Sequence, residues 1–244
     1  MTTMNNLADF MFERGNVKEA ESLHRRVLKI SRKVLGPENQ STLITQNNLA
    51  RTLHEQGELL DAEKLFREVL EIYTKTRGED HPATLLAMGN LSGVLDDQGK
   101  VEEAEMLARR VVAGTRKNVG EESPQTLVAM NNLASLLRDQ GKHVEAVKQY
   151  EEVLQIADRA LPKGHWMSCV FEGAMSKSLI ALEELDRAEK QLLHAFECLR
   201  DTMGVEYRHT QVMVERLVEL YELRNQPERA EEYRKHLIVN DPPE

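Results

Sequence analysis

Between residues 43 and 84 apolar side chains recur three and four positions apart: Leu49 and Leu53 lie ahead of Gly57, and Leu59, Ala62, Leu65, Phe66, Val69, Leu70 and Ile72 follow it. This spacing lays an apolar stripe along each of two helices. Gln56-Gly57-Glu58 is too short for anything but a tight antiparallel turn, so the stretch predicts a helical hairpin. The pattern repeats. Steps of 42 residues connect Leu7, Leu49, Leu91 and Leu133, and likewise Gly15, Gly57, Gly99 and Gly141. Alanine keeps the interval longest, at Ala20, Ala62, Ala104, Ala146, Ala188 and Ala230. Six hairpins thus fill almost the whole chain, which makes it an all-α repeat array. The clearest helices are predicted over 40–55, 59–77, 82–97, 101–118, 124–139 and 143–160.

Punctuation residues agree with that division. Gly36, Gly78, Gly120 and Gly204 fall where second helices should stop, since a left-handed terminating residue favours glycine. His81-Pro82 and Ser123-Pro124 mark helix starts; Ser123 is a good N-cap and His81 a poor one. Ala8, Ala50, Ser92, Ala134 and Ser176 on the first helices, with the alanine series on the second, leave room for close helix approach. Fidelity then decays: Met175 replaces the leucine, Glu183 and Asn225 the turn glycine, and Pro162 a terminator. The segment 240–244, Asn-Asp-Pro-Pro-Glu, cannot continue a helix. Met1 falls inside the first helix, so either the protein starts abruptly or this is a piece of a longer one.

Composition narrows the function. Against 32 basic residues stand 41 acidic ones, and a net charge of −9 disfavours nonspecific nucleic-acid or anionic-membrane binding. No signal peptide or membrane-spanning apolar run is present, and Cys169 and Cys198 lack metal-ligand spacing. The two cysteines are expected to be reduced packing residues of a cytoplasmic protein. No catalytic residue, metal site or cofactor is expected, because the eight histidines are scattered and no HExxH, phosphate-loop or GxSxG motif occurs. Glu102-Glu103 and Glu151-Glu152 read as surface charge, and Trp166 as a plug between the fourth and fifth hairpins.

A leucine-small pair in the first helix, a turn glycine and an early alanine in the second resemble the tetratricopeptide repeat (TPR). The 42-residue period, with NNLARTLHEQGELLDAEKLFREVLEIYTKTRGEDHPATL and NNLASLLRDQGKHVEAVKQYEEVL, is similar to the kinesin-light-chain class, which also recurs in signalling proteins with an upstream NTPase module. The resemblance implies a right-handed superhelix (α-solenoid) of about six hairpins, a single array over 1–239 followed by a tail at 240–244. Its repeats would run about 1–36, 37–78, 79–120, 121–162, 163–204 and 205–239. It also implies a concave groove, lined by first helices, that binds a protein or peptide partner. Motor association is not implied, since the light chain's heptad coiled coil is absent from these 244 residues.

On that reading, Asn6, Asn48, Asn90 and Asn132, continued by Ala174 and Arg216, face the groove. Their amides would either pair with a ligand's backbone irrespective of its sequence or bind neighbouring helices and stabilise the stack. Arg51, Asp97, Arg138 and Asp139 would select by charge, and an acidic lip of Glu13, Glu55, Asp97 and Asp139 favours a segment bearing Lys or Arg. Gly89 and Gly93, four residues apart, are a candidate pocket for a bulky partner side chain or neutral drift. The alternative function is self-assembly, or a regulatory arm of a larger NTPase-TPR signalling protein. Partner identity and oligomeric state stay open.

Overall fold

Residues 2–238 are described by the computed structural model, and within them the chain is all α. Twelve helices pair in sequence as antiparallel hairpins: α1 (Thr2–Glu13) with α2 (Val17–Val34), α3 (Gln40–Glu55) with α4 (Leu59–Arg77), and α5 (Pro82–Asp97) with α6 (Val101–Val119). They continue as α7 (Pro124–Asp139) with α8 (His143–Ala160), α9 (Trp166–Ala181) with α10 (Leu185–Met203), and α11 (Arg208–Leu223) with α12 (Pro227–Arg234). The chain divides into two compact units, Met1–Asn118 and Val119–Glu244. The tail at 240–244 lies outside the described residues, as does Met1.

The small residues do what their size predicts. Ala8, Ala50, Ala134 and Ser176 are fully buried, Ser92 nearly so, and all six alanines of the second-helix series have no exposed surface. In the first unit Leu43, Val69, Tyr73 and Ala87 join α3, α4 and α5 in one core cluster. In the second, Phe196, Leu217 and Tyr221 form another with Ala230. The turn glycines have φ between 73° and 81°, and Glu183 (60°) and Asn225 (55°) hold the same left-handed backbone where glycine is lost. The hairpin geometry therefore outlasts the residue that favours it, at a cost of about 1 kcal/mol.

Helix starts correct one expectation. His81 does cap α5: its Nδ1 accepts from the Ala83 N–H at 3.1 Å, and His165 does the same for Met167 at 3.2 Å. The acceptor nitrogen reaches the position filled by the Asn39 and Ser123 oxygens at the starts of α3 and α7. Just inside the helices, Thr84, Thr126 and Thr210 donate to the carbonyls of Gly78, Gly120 and Gly204 at 2.7–2.9 Å, tying each helix start to the glycine that ends the one before.

A polar ladder, invisible in the apolar pattern, links successive hairpins. The amide of Gln56 donates to the Val17 carbonyl and to Glu21, and that of Gln98 to the Leu59 carbonyl. Glu63 receives both Lys100 (2.8 Å) and Arg67 (3.0 Å). Glu189 in turn receives Arg224, Arg229 and the Tyr221 hydroxyl. A second correction concerns the cysteines: Cys169 on α9 and Cys198 on α10 form a disulfide, with Cα atoms 6.3 Å apart. Adjacent antiparallel helices bring together two residues whose separation of 29 gave no hint of it.

Candidate partner-binding surface

In the first unit the asparagine row runs over α1, α3 and α5. Asn6 is exposed, and Asn48 and Asn90 are half-buried. Asn48 Nδ2 donates to Asp9 Oδ1 on α1 at 2.8 Å, and Asn90 Nδ2 to Asn47 Oδ1 on α3 at 3.1 Å. Each amide thus commits one N–H to the neighbouring first helix. Asp9 is shared: the buried His24 ring donates to it through Nε2 at 3.2 Å, while Nδ1 meets the Thr52 hydroxyl at 3.2 Å. Burial pushes the His24 pKa down, and the pull of the Asp9 carboxylate in the other direction does not outweigh it.

Charge on this surface is largely committed inside the molecule. The Arg51 guanidinium lies 5.2 Å from the centre of the Phe12 ring, a cation–π contact that leaves it exposed. Asp97 meets His54 Nε2 at 2.5 Å. Glu13 and Glu55 are exposed, with no ion pair among the described residues. Gly89 is open, whereas a Cβ on Gly93 would sit 3.7 Å from the His54 ring. The two glycines are therefore not equivalent.

The second unit differs. Asn132 on α7 is exposed. Arg138 is mostly buried, donates to both oxygens of Asp139 at 2.8 and 2.9 Å and reaches the Tyr150 hydroxyl at 3.4 Å. Tyr150 is fully buried and also meets Ser135. Where the asparagine series ends, Ala174 is buried and Arg216 Nη1 donates to the Gly173 carbonyl at 2.5 Å. Of the residues singled out for charge selection, Asp97 and Asp139 are thus each paired with a basic neighbour. Sequence reasoning missed the Asp9–His24–Thr52 link; a periodic comparison could not have found it, because neither Asp9 nor His24 recurs at the 42-residue step.

Comparison with known proteins adds the family. The sequence matches the tetratricopeptide repeat family over residues 1–75, 42–117 and 97–159, which together run unbroken from residue 1 to residue 159. The chain belongs to the tetratricopeptide repeat family. The last two hairpins fall outside that matched stretch yet keep the same helix pairing. No curated protein matches the chain. Among solved structures, the nearly identical TPR-like repeats of a Podosopora anserina kinesin light chain are 28% identical, with a TM-score of 0.70 over 83% of this chain and 96% of theirs. BtubC (BKLC) from P. vanneervenii is 16% identical with a TM-score of 0.71, covering 93% of this chain and 94% of that one. Pseudomonas aeruginosa pilF is 16% identical with a TM-score of 0.59 over 95% of this chain and 87% of that one. The latter two share the fold alone. Such TPR domains are in general protein-interaction modules. No helix among the described residues is long and apolar enough to cross a membrane.

Proposed function

We propose that the first helices of this TPR protein are a noncatalytic docking surface for an extended segment of a partner protein, as in a kinesin-light-chain-like adaptor. The observation that carries the reading is the state of the asparagine row. Asn48 and Asn90 each hold one N–H on a neighbouring helix, which orients the amide, while their Oδ1 atoms make no hydrogen bond among the described residues. Oriented acceptors suit the N–H groups of a ligand backbone, because little side-chain entropy remains to be lost on binding. The two roles foreseen for these amides coexist in one side chain. Preference for a basic segment rests on Glu13 and Glu55, since Asp97 is held by a hydrogen bond with His54 and Asp139 by the Arg138 ion pair.

Peptide display on the purified chain, followed by Asn48→Ala/Asn90→Ala/Asn132→Ala, tests the proposal. Selected peptides should lose about tenfold or more in affinity, as expected for several lost hydrogen bonds. Asn132→Ala alone, at an exposed position, should weaken binding without loosening the stack. Undiminished binding by the triple variant refutes the reading.

A second reading, self-assembly, is supported by α1. Leu7 and Phe10 are 46% and 54% exposed, whereas their counterparts one repeat on, Leu49 and Thr52, are 3% and 0% exposed. The exposed face has the register of a hairpin-stacking surface. Light scattering that finds a monomer at every concentration counts against it.

A further inference from the structure

A groove of about 780 Å³ runs between α2 and α4, on side chains that the first-helix reading does not use. Its apolar lining is the partly buried Leu65 and the edges of Leu28, Leu49 and Leu53, which are 6%, 3% and 1% exposed. Five cations border it, Arg25, Lys29, Arg32, Lys33 and Lys64, against two carboxylates, Asp61 and Glu68. In a chain of net charge −9 this is a local reversal of sign. Two of the cations are committed: Arg25 bonds Glu21 at 2.7 Å, and Arg32 bonds Glu68 at 3.0 Å and Gln46 at 2.8 Å. Lys29, Lys33 and Lys64 are exposed and form no ion pair among the described residues.

Ordinary helix design does not account for these lysines together. Cations in the last turn, such as Arg32 and Lys33, complement the negative end of α2. Lys29 lies before that turn, and Lys64 is in the second turn of α4, toward its positive end. Part of the charge follows the repeat: one step of 42 residues on, Arg25 and Lys33 become Arg67 and Lys75, and two steps on Arg25, Arg32, Lys33 and Lys64 become Arg109, Arg116, Lys117 and Lys148. Lys29 has no basic counterpart, with Glu71, Ala113 and Gln155 at the next three steps. It is the cation that sets this groove apart.

We infer that the α2–α4 groove binds an acidic segment of a partner protein, with Asp or Glu side chains against the lysines and an aliphatic side chain against Leu65. Three exposed lysines beside the partly buried Leu65 fit such a peptide better than nucleic acid, which the net charge of −9 repels at long range. The site is separate from the asparagine row, so either can fail alone.

The test uses the full chain and a short fluorescein-labelled peptide of leucines set among Asp and Glu, read by fluorescence anisotropy. Lys29→Glu/Lys33→Glu/Lys64→Glu changes exposed positions only, and circular dichroism confirms its fold. The charge reversal should weaken the peptide about tenfold or more, because like charges then meet across the interface. Raising salt should weaken the wild-type complex in the same direction. The Asn48→Ala/Asn90→Ala/Asn132→Ala variant should keep full affinity for this peptide. Equal binding by the charge-reversed chain overturns the inference. So does absence of binding to the wild type, tighter binding of a matched peptide with Lys in place of Asp and Glu, or capture of duplex DNA or phosphatidylserine vesicles without the peptide.

Discussion

Four glycines lie inside helices, and alanine substitution at each separates propensity from packing. Relative to alanine, glycine in a helix interior costs about 1 kcal/mol, so propensity alone gives the same gain at all four sites. Surroundings divide them. A Cβ on Gly89 meets nothing within 4 Å, and one on Gly93 makes an ordinary 3.7 Å contact with His54. A Cβ on Gly114 would lie 2.5 and 2.8 Å from the methyl groups of the buried Leu85, and one on Gly173 would lie 2.0 Å from Met213 Sδ. Gly89→Ala/Gly93→Ala should therefore stabilise by about 2 kcal/mol. For a chain of this size that corresponds to a rise in Tm of roughly 4–8 °C. At Gly114 and Gly173 overpacking costs about 1–3 kcal/mol, which offsets or reverses the propensity gain. Thermal melts followed by circular dichroism, repeated as urea titrations, measure all four. Equal stabilisation at Gly89 and Gly114 would refute the packing argument. The same double variant also tests the proposed partner pocket: affinity for display-selected peptides should fall, and unchanged affinity would remove Gly89 and Gly93 from the binding surface.

Three further outcomes are expected. Glu63→Gln should cost about 1–2 kcal/mol in urea unfolding near neutral pH, less than a fully buried pair because Lys100 and Arg67 are each 44% exposed. The Lys100 hydrogen bond, ahead of Arg67, holds the Glu63 pKa below the usual carboxylate value; its stabilisation is present above that value and lost as pH falls through the folded-state pKa, so the variant and wild type should converge in acid. His24, with its pKa pushed down by burial, makes the unfolded chain bind a proton first; stability should be full above about pH 6.5 and decline as pH drops below it, and His24→Gln should flatten that slope in pH-dependent urea midpoints. Reduction of the Cys169–Cys198 bond, which spans 29 residues, should destabilise by roughly 3 kcal/mol, with thiol titration finding no free thiol beforehand; two free thiols would instead restore the reduced state expected of a cytoplasmic protein.

The asparagine row was legible because it shares the period of the fold, and its placement on α1, α3, α5 and α7 follows from counting alone. What each amide does was not legible. Asn48 meets Asp9 and Asn90 meets Asn47 across the gap between successive first helices, and that distance depends on how the hairpins stack. Arg138 illustrates the same limit: its spacing placed it beside the groove, while its mostly buried side chain bonds Asp139 and Tyr150.

By itself the 42-residue recurrence determined hairpin number, helix type and, to within a residue for α3 to α8, where each helix begins and ends. These features are local: turn residues, caps and apolar stripes act within a few positions of one another and so can be read along the chain. Tertiary structure alone decided that His81 and His165 cap their helices, that Cys169 meets Cys198, and that Leu85 closes on Gly114 while Gly89 stays open. The cap depends on which way an imidazole turns, and the other contacts on which helix face meets which neighbour. Both are set when side chains fill the space between helices, where separations of a few tenths of an ångström decide between a favourable contact and an overlap.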